Sequence, residues 1–361
     1  PRVISNKGKT PLYMIFFVTS YCNLKCEHCF YWKELNVKRD ELKLDEIEKI
    51  AKNMDDLLFL RLTGGEPMLR KDIPEIIKIF YDNNNLRNVG ISTAGFFTQK
   101  ILKDAEKTLE LCPDIELEFC ISIDDVDRFH DLNRGVENTY RNAVATINGL
   151  KEIKEKHGRI RINCGLCVTK GNQDRLDKIF EEALVPLGVD TIQVNIIRGS
   201  PKDPGLMEVD LEKYQALLRK TRAYNTRQGY HGLYISSNVK DKMMSNVIIK
   251  TIQERKFQGI YCNAGNKIGV LYSGGDLYPC ELLEDKKIGN LIDNNYDTQK
   301  IPKGDPLEHF ENMTDYNAIT GSEFGYVDHY GEGKRFNHYG VPYHSSSSVS
   351  TRRGKESLED K

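Results

Sequence analysis

In the stretch Asp45-Glu46-Ile47-Glu48-Lys49-Ile50-Ala51-Lys52-Asn53-Met54 the apolar residues fall at spacings of 3, 1 and 3. That is the stripe of a half-buried helix. A short apolar run at 13–18 precedes it and another at 57–62 follows, and both are read as strands. The alternation continues to about residue 197. Further strand-like runs lie at 88–93, 115–123, 159–168 and 191–197, with helical patterns at 73–81, 98–111, 139–156 and 174–187. Six β-then-α units imply a parallel sheet with helical crossovers, hence an α/β fold in the form of an open or closed barrel. In such folds the chemistry sits beyond the C-terminal ends of the strands.

The 361 residues suit about two domains. With 39% hydrophobic residues the chain can build a sizeable core. A mean hydropathy of -0.53 and no long apolar run argue against a membrane span. The net charge of -1 gives no electrostatic footprint for nucleic acid or an anionic membrane. Lys7 and Lys9 ahead of the apolar run 12–18 have the outline of a signal peptide. The run is at the short limit for one, and no small-residue cleavage site follows. Its β-branched and aromatic content suits a buried strand. The expected compartment is the reducing cytoplasm.

Residues 201–257 read as a helical connection, broken at Pro201, Pro204 and Gly205. A hairpin signature follows, with 268–272 and 277–280 flanking Ser273-Gly274-Gly275-Asp276, so 258–300 reads as a small second module. Periodicity stops near residue 302. Residues 319–361 hold five of Leu, Ile, Val and Met, which predicts a disordered tail over 301–361. Its histidines His329, His338 and His344 have no metal-ligand spacing. No internal repeat is present.

The chemistry is carried by Cys22-Asn23-Leu24-Lys25-Cys26-Glu27-His28-Cys29-Phe30, directly after the first strand. Thiolates are soft ligands of the kind that iron–sulfur clusters require. Three of them leave one iron of a four-iron cluster open to a small molecule. Structural zinc is the alternative, but paired CxxC elements or a spaced His pair are absent nearby. The ring of His28, between two cysteines, is expected to point outward. Thr63-Gly64-Gly65-Glu66-Pro67 ends the second strand, where glycines allow close backbone approach to a ligand and Pro67 stiffens the exit. Ile121-Ser122-Ile123-Asp124 ends the fourth, with Ser122 and Asp124 on one face. Cys164 and Cys167 lie three apart on a strand and face opposite sides, so they share no metal. Cys112 and Cys120 read as packing residues, and Trp32 as a shield of the site or a surface cover.

The spacing C-x3-C-x2-C followed by an aromatic resembles the radical S-adenosylmethionine (SAM) superfamily, whose fold is a partial (β/α)6 barrel. The resemblance covers about residues 11–290, with 11–200 as the core barrel. It implies that Cys22, Cys26 and Cys29 hold a [4Fe-4S] cluster that binds SAM, whose cleavage yields a 5′-deoxyadenosyl radical. It assigns Gly64, Gly65, Glu66 and Pro67 to the methionyl ammonium, Ser122 and Asp124 to the ribose, Phe30 to the adenine, and Ser92 to a further SAM contact. His130-Asp131-Leu132-Asn133-Arg134-Gly135 is similar to a family element in which Arg134 pairs with the SAM carboxylate. Asp125 stands where many relatives have Gly. The pair Cys262 and Cys280, spaced C-x12-G-x4-C, resembles the opening of SPASM and twitch domains, which hold auxiliary iron–sulfur clusters. No cysteine follows Cys280, so either other residues complete a possible second cluster at Cys262 and Cys280, or the module is truncated, altered or metal-free, as a frameshift that replaced the native end would produce.

The resemblance implies a maturase-like enzyme that abstracts hydrogen from a peptide or protein side chain, fed by a low-potential donor such as flavodoxin or ferredoxin. A second reading is a small-molecule substrate, such as a sugar, nucleotide or alcohol. It draws support from the lack of an evident peptide-recognition domain ahead of residue 11. A third is a catalytically dead iron–sulfur or scaffold protein.

Overall fold

The computed structural model describes residues 10–228, 233–254 and 264–298. The expectations for Cys262 and for the tail 301–361 with its histidines lie outside the described residues.

Burial sets the strand order. β1 (Tyr13–Thr19) runs through the middle of the protein, and Phe16, Phe17 and Val18 are fully buried. Parallel strands β2 (Phe59–Gly64), β3 (Asn88–Thr93), β4 (Glu116–Ser122), β5 (Ile160–Val168) and β6 (Thr191–Ile196) follow on one side of it. Leu60 and Leu62 of β2 turn to the helices, whereas Arg61 and Thr63 turn to the barrel lumen, the alternation a pleated strand imposes.

The decisive helix is α1 (Leu44–Lys52), and its Ile47, Ile50 and Ala51 are inaccessible to solvent. The Lys43 N–H donates to Glu46 Oε2 at 2.9 Å, which satisfies one of the free ends of the first turn. α2 (Ile73–Asn83), α3 (Thr98–Leu111) and α5 (Thr139–His157) repeat the pattern and cover the outer face of the sheet. The short α4 (Asp127–Arg134) follows β4 and stops at Gly135, whose φ of +69° is the left-handed cap a helix end favours.

Two expectations change. The helix read at 174–187 is a broken run: a 3-10 turn, the single turn α6 (Leu176–Lys178), a π-helical segment at Ile179–Leu184, and a last 3-10 turn containing Pro186. Pro186 supplies no N–H and cannot continue an α ladder. The hairpin read as a separate module extends the main sheet instead. After α7 (Leu211–Arg227) and α8 (Leu233–Glu254), β7 (Ile268–Leu271) pairs in parallel with β1. β8 (Asp276–Tyr278) and β9 (Gly289–Asn290) follow in antiparallel order. The sheet therefore runs β6-β5-β4-β3-β2-β1-β7-β8-β9. The apolar run 12–18 is the strand on which both halves are built. Among the described residues no helix is long and apolar enough to cross a membrane.

Candidate active site

A register shift between Phe17 and Thr19 kinks the end of β1 against β2. The three-cysteine loop begins there. Its base is bonded to the Gly-Gly-Glu-Pro turn: the Gly65 N–H donates to Thr19 O at 2.9 Å and the Glu66 N–H to Tyr21 O at 2.8 Å. A Cβ on Gly64 would stand 2.3 Å from Thr19 O, and one on Gly65 2.1 Å from Tyr21 O. The close approach that these glycines allow includes the base of the cysteine loop, the chain's own backbone at Thr19 and Tyr21. Glu66 is buried; its carboxylate accepts from Thr93 Oγ1 at 2.6 Å, the Ala94 N–H at 2.9 Å and the Met68 N–H at 3.0 Å. It ties the ends of β2 and β3 together. Burial raises its pKa while those three donors oppose the shift. Pro67 begins a short 3-10 turn that Glu66 caps.

Cys22, Cys26 and Cys29 are each half-buried. Burial raises all three thiols, Cys22 to about 12 and Cys29 to about 11, and each feels the charge of at least one other cysteine of the set or of Arg134. Three soft thiolates within one short loop are the ligand type that an iron–sulfur cluster takes. The donor set therefore fits a [4Fe-4S] cluster.

One protein cation already stands there. Arg134 Nη1 lies 3.8 Å from Cys26 Sγ, while Nη2 makes an ion pair with Asp124 Oδ2. Asp124 has no solvent-accessible surface. Its Oδ1 accepts the Cys167 N–H at 2.9 Å, its N–H donates to His130 Nδ1 at 3.1 Å, and its carbonyl accepts from Asn172 Nδ2 at 2.9 Å. The guanidinium holds the Asp124 pKa down against desolvation, and Asp124 in turn raises that of Arg134. His28 completes the group, its Nδ1 at 3.1 Å from Asn133 Oδ1 and its Nε2 at 3.9 Å from Asp124 Oδ2. The ring thus points inward, contrary to expectation, because α4 offers it a polar partner. Burial keeps it neutral.

Ser92 and Ser122 lie on the lumen face, Ser92 across from Cys120 and Ser122 across from Gly165. Asp125 is buried and answered by Arg175 Nε at 3.2 and 3.3 Å. Phe30 packs on the exit of β6: a Cβ on Gly199 would reach Phe30 Cβ at 2.6 Å, and the Arg198 guanidinium lies 5.8 Å from the ring centre. Trp32 donates from Nε1 to Ser200 O at 3.0 Å, so it fastens the cysteine loop to the same exit. Cys280 is half-buried at the end of the hairpin; the next residue, Glu281, pairs with Arg198, and Leu282 reaches Gly199. Cys164 is buried and Cys167 faces the lumen, the opposite orientations a strand requires.

Residues 16–166 match the family model described as the radical SAM superfamily. The chain carries a radical SAM domain. A GTP 3',8-cyclase of Helicobacter pylori is 24% identical over 303 residues, 81% of this chain and 87% of that protein. The antilisterial bacteriocin subtilosin biosynthesis protein AlbA of Bacillus subtilis is 25% identical over 81% of this chain and 60% of its own length. Native anSMEcpe, solved with bound AdoMet and the Cp18Cys peptide, shares the fold with a TM-score of 0.55 at 18% identity, covering 86% of this chain and 88% of that one. The radical SAM domain accounts for the three-cysteine loop at the exit of β1. Sequence reasoning missed Asn36, whose side chain binds the Cys22 backbone, and the grip of 198–200 on Phe30 and Trp32. No local spacing announces either.

Proposed function

We propose that this chain is a radical SAM enzyme acting on a peptide or protein side chain, with Cys22, Cys26 and Cys29 holding a [4Fe-4S] cluster. The observation that carries the reading is Arg134 seated between Asp124 and Cys26 Sγ at the mouth of the barrel. When bound, the reduced cluster and SAM supply a 5′-deoxyadenosyl radical that removes a hydrogen atom from the substrate. The chain's part is to bind, orient and exclude water. Arg134, held in place by Asp124, brings a cation toward the SAM carboxylate, and Ser122 suits the ribose diol, with Asp124 positioning Arg134 from beneath. The Glu66 carboxylate fixes the turn whose backbone faces the methionyl ammonium. Phe30 and Ser92 stand at the adenine side and in the lumen. A low-potential flavodoxin or ferredoxin supplies the electron. In this reading Cys280 and Cys262 are candidate ligands of a second cluster.

We favour a peptide over a nucleoside triphosphate as the substrate. The relative named for subtilosin biosynthesis and the anSMEcpe structure with a peptide support the same side. The GTP 3',8-cyclase keeps small-molecule chemistry as the second reading. The two are separated by deuterium transfer into 5′-deoxyadenosine from a uniformly deuterated peptide pool or from deuterated GTP. Transfer from the peptides is expected; transfer from GTP alone would replace the reading with a nucleotide enzyme.

A further inference from the structure

β6 is the outer strand of the open sheet. The Ile197 N–H donates to Val168 O at 2.9 Å, so residues 193, 195 and 197 direct their peptide groups to β5 and residues 192, 194 and 196 direct theirs outward. One outward residue is already answered. The Ile192 N–H donates to Asn225 Oδ1 at 2.8 Å, and Asn225 Nδ2 donates to Ile192 O at 3.0 Å. A primary amide that accepts and donates at once has the hydrogen-bonding face of a peptide group, so Asn225 stands as a one-residue surrogate for a neighbouring strand. Beyond it, the outward N–H and C=O groups of Val194 and Ile196 meet no hydrogen-bond partner among the described residues. Strand edges left unpaired are usually blunted by Lys, Pro or a bulge. The sequence here is Val194-Asn195-Ile196, with regular register to β5 and Asn195 exposed.

We infer that the substrate peptide binds as an added strand along residues 194–196, continuing the line that Asn225 begins. The inference rests on the peptide reading above and specifies how that substrate is held. Two outward N–H donors and two carbonyls bind the peptide by its backbone, whatever its sequence. Alternate side chains of the added strand enter the lumen beside Gln193 and Asn195, and the others lie toward α7. The open half of β6 leads straight into Arg198, Gly199 and Ser200, which grip Phe30 and Trp32 of the cysteine loop. One side chain of the peptide is thereby brought to the mouth of the barrel, while its neighbours are held away from it.

The test uses the reconstituted full chain and binders selected from a library of random linear 12-residue peptides. Wild-type protein is expected to show slowed amide exchange at Val194 and Ile196 when such a peptide is bound. Val194→Pro removes an outward N–H that the ladder does not use. It is expected to weaken these peptides at least about tenfold, the loss of one backbone bond plus a ring in its way. The variant's folding is checked by its melting temperature and iron content. Should it not fold, N-methylation of alternate peptide residues serves instead, and it should abolish binding in one register and spare it in the other. Protection elsewhere on the protein, equal binding by Val194→Pro, indifference to N-methylation, or a library that yields no binder would each overturn the inference. Cleavage of SAM by the wild-type protein without peptide tests the radical SAM reading separately.

Discussion

Asn36 holds Cys22 by both faces of its amide: its Oδ1 accepts the Cys22 N–H at 3.1 Å and its Nδ2 donates to the Cys22 carbonyl at 3.1 Å. Asn36 itself sits at a φ of +60°, with its N–H on Ser20 O at 2.9 Å. Asparagine tolerates that backbone and supplies the amide, a combination few residues offer. Asn36→Ala loses both bonds and strains the turn, about 2 kcal/mol in all. The cluster of the variant should be lost faster to a chelator than that of the wild type, at unchanged secondary structure by circular dichroism. Equal chelation rates would remove Asn36 from the account.

Asp124 and Arg134 form a buried pair, with side chains 1% and 11% exposed. Removing one partner leaves the other charge buried, a loss of about 3–5 kcal/mol. Asp124→Asn should show this in a denaturant titration. Arg134→Lys should not recover the wild-type behaviour, because one ammonium cannot span the carboxylate and Cys26 Sγ together.

His130 is fully buried, and desolvation and Arg134 hold its pKa at about 4 against an ordinary 6.5. Its neutral Nδ1 accepts the Asp124 N–H. Above pH 6.5 neither state of the chain protonates this ring. Between pH 6.5 and 4 the unfolded chain takes up the proton and the folded chain does not, so stability falls as pH falls. The loss reaches about 3 kcal/mol. His130→Gln should flatten that part of the stability curve, as measured by chemical denaturation at a series of pH values. An unchanged slope would contradict the assignment.

Gly65 has no room for a side chain, since a Cβ would lie 2.1 Å from Tyr21 O and 2.5 Å from Tyr21 C. Gly65→Ala must push the turn away from the cysteine loop and break the Gly65 N–H bond to Thr19 O. Reconstituted iron should drop to less than half, which is read by a colorimetric iron assay. Full iron loading would show that the loop and the turn are not coupled.

Much of the fold was legible because it is local. The stripe of Ile47, Ile50 and Ala51 became α1, and the short apolar runs rich in β-branched and aromatic residues became β1 to β6. The cysteine loop was legible because its ligands are close in sequence. What the sequence hid depends on long-range contact. β7 finds β1 across some 250 residues, and no pattern within 268–271 states that partner. His28 turns inward only because α4 brings Asn133 and Asp124 to it. The glycines at 64 and 65 also lie tight against the chain's own backbone at Thr19 and Tyr21, a contact that no local pattern announces.

The most direct test is iron and acid-labile sulfide after anaerobic reconstitution, with dithionite-driven release of 5′-deoxyadenosine from SAM, in the wild type beside Cys26→Ala. The account predicts about four irons per chain with SAM cleavage in the wild type, and loss of both cluster absorption and cleavage in the variant. About eight irons would place a second filled cluster in the same chain. Cleavage retained by Cys26→Ala, or none in an iron-loaded wild type, would contradict the central claim.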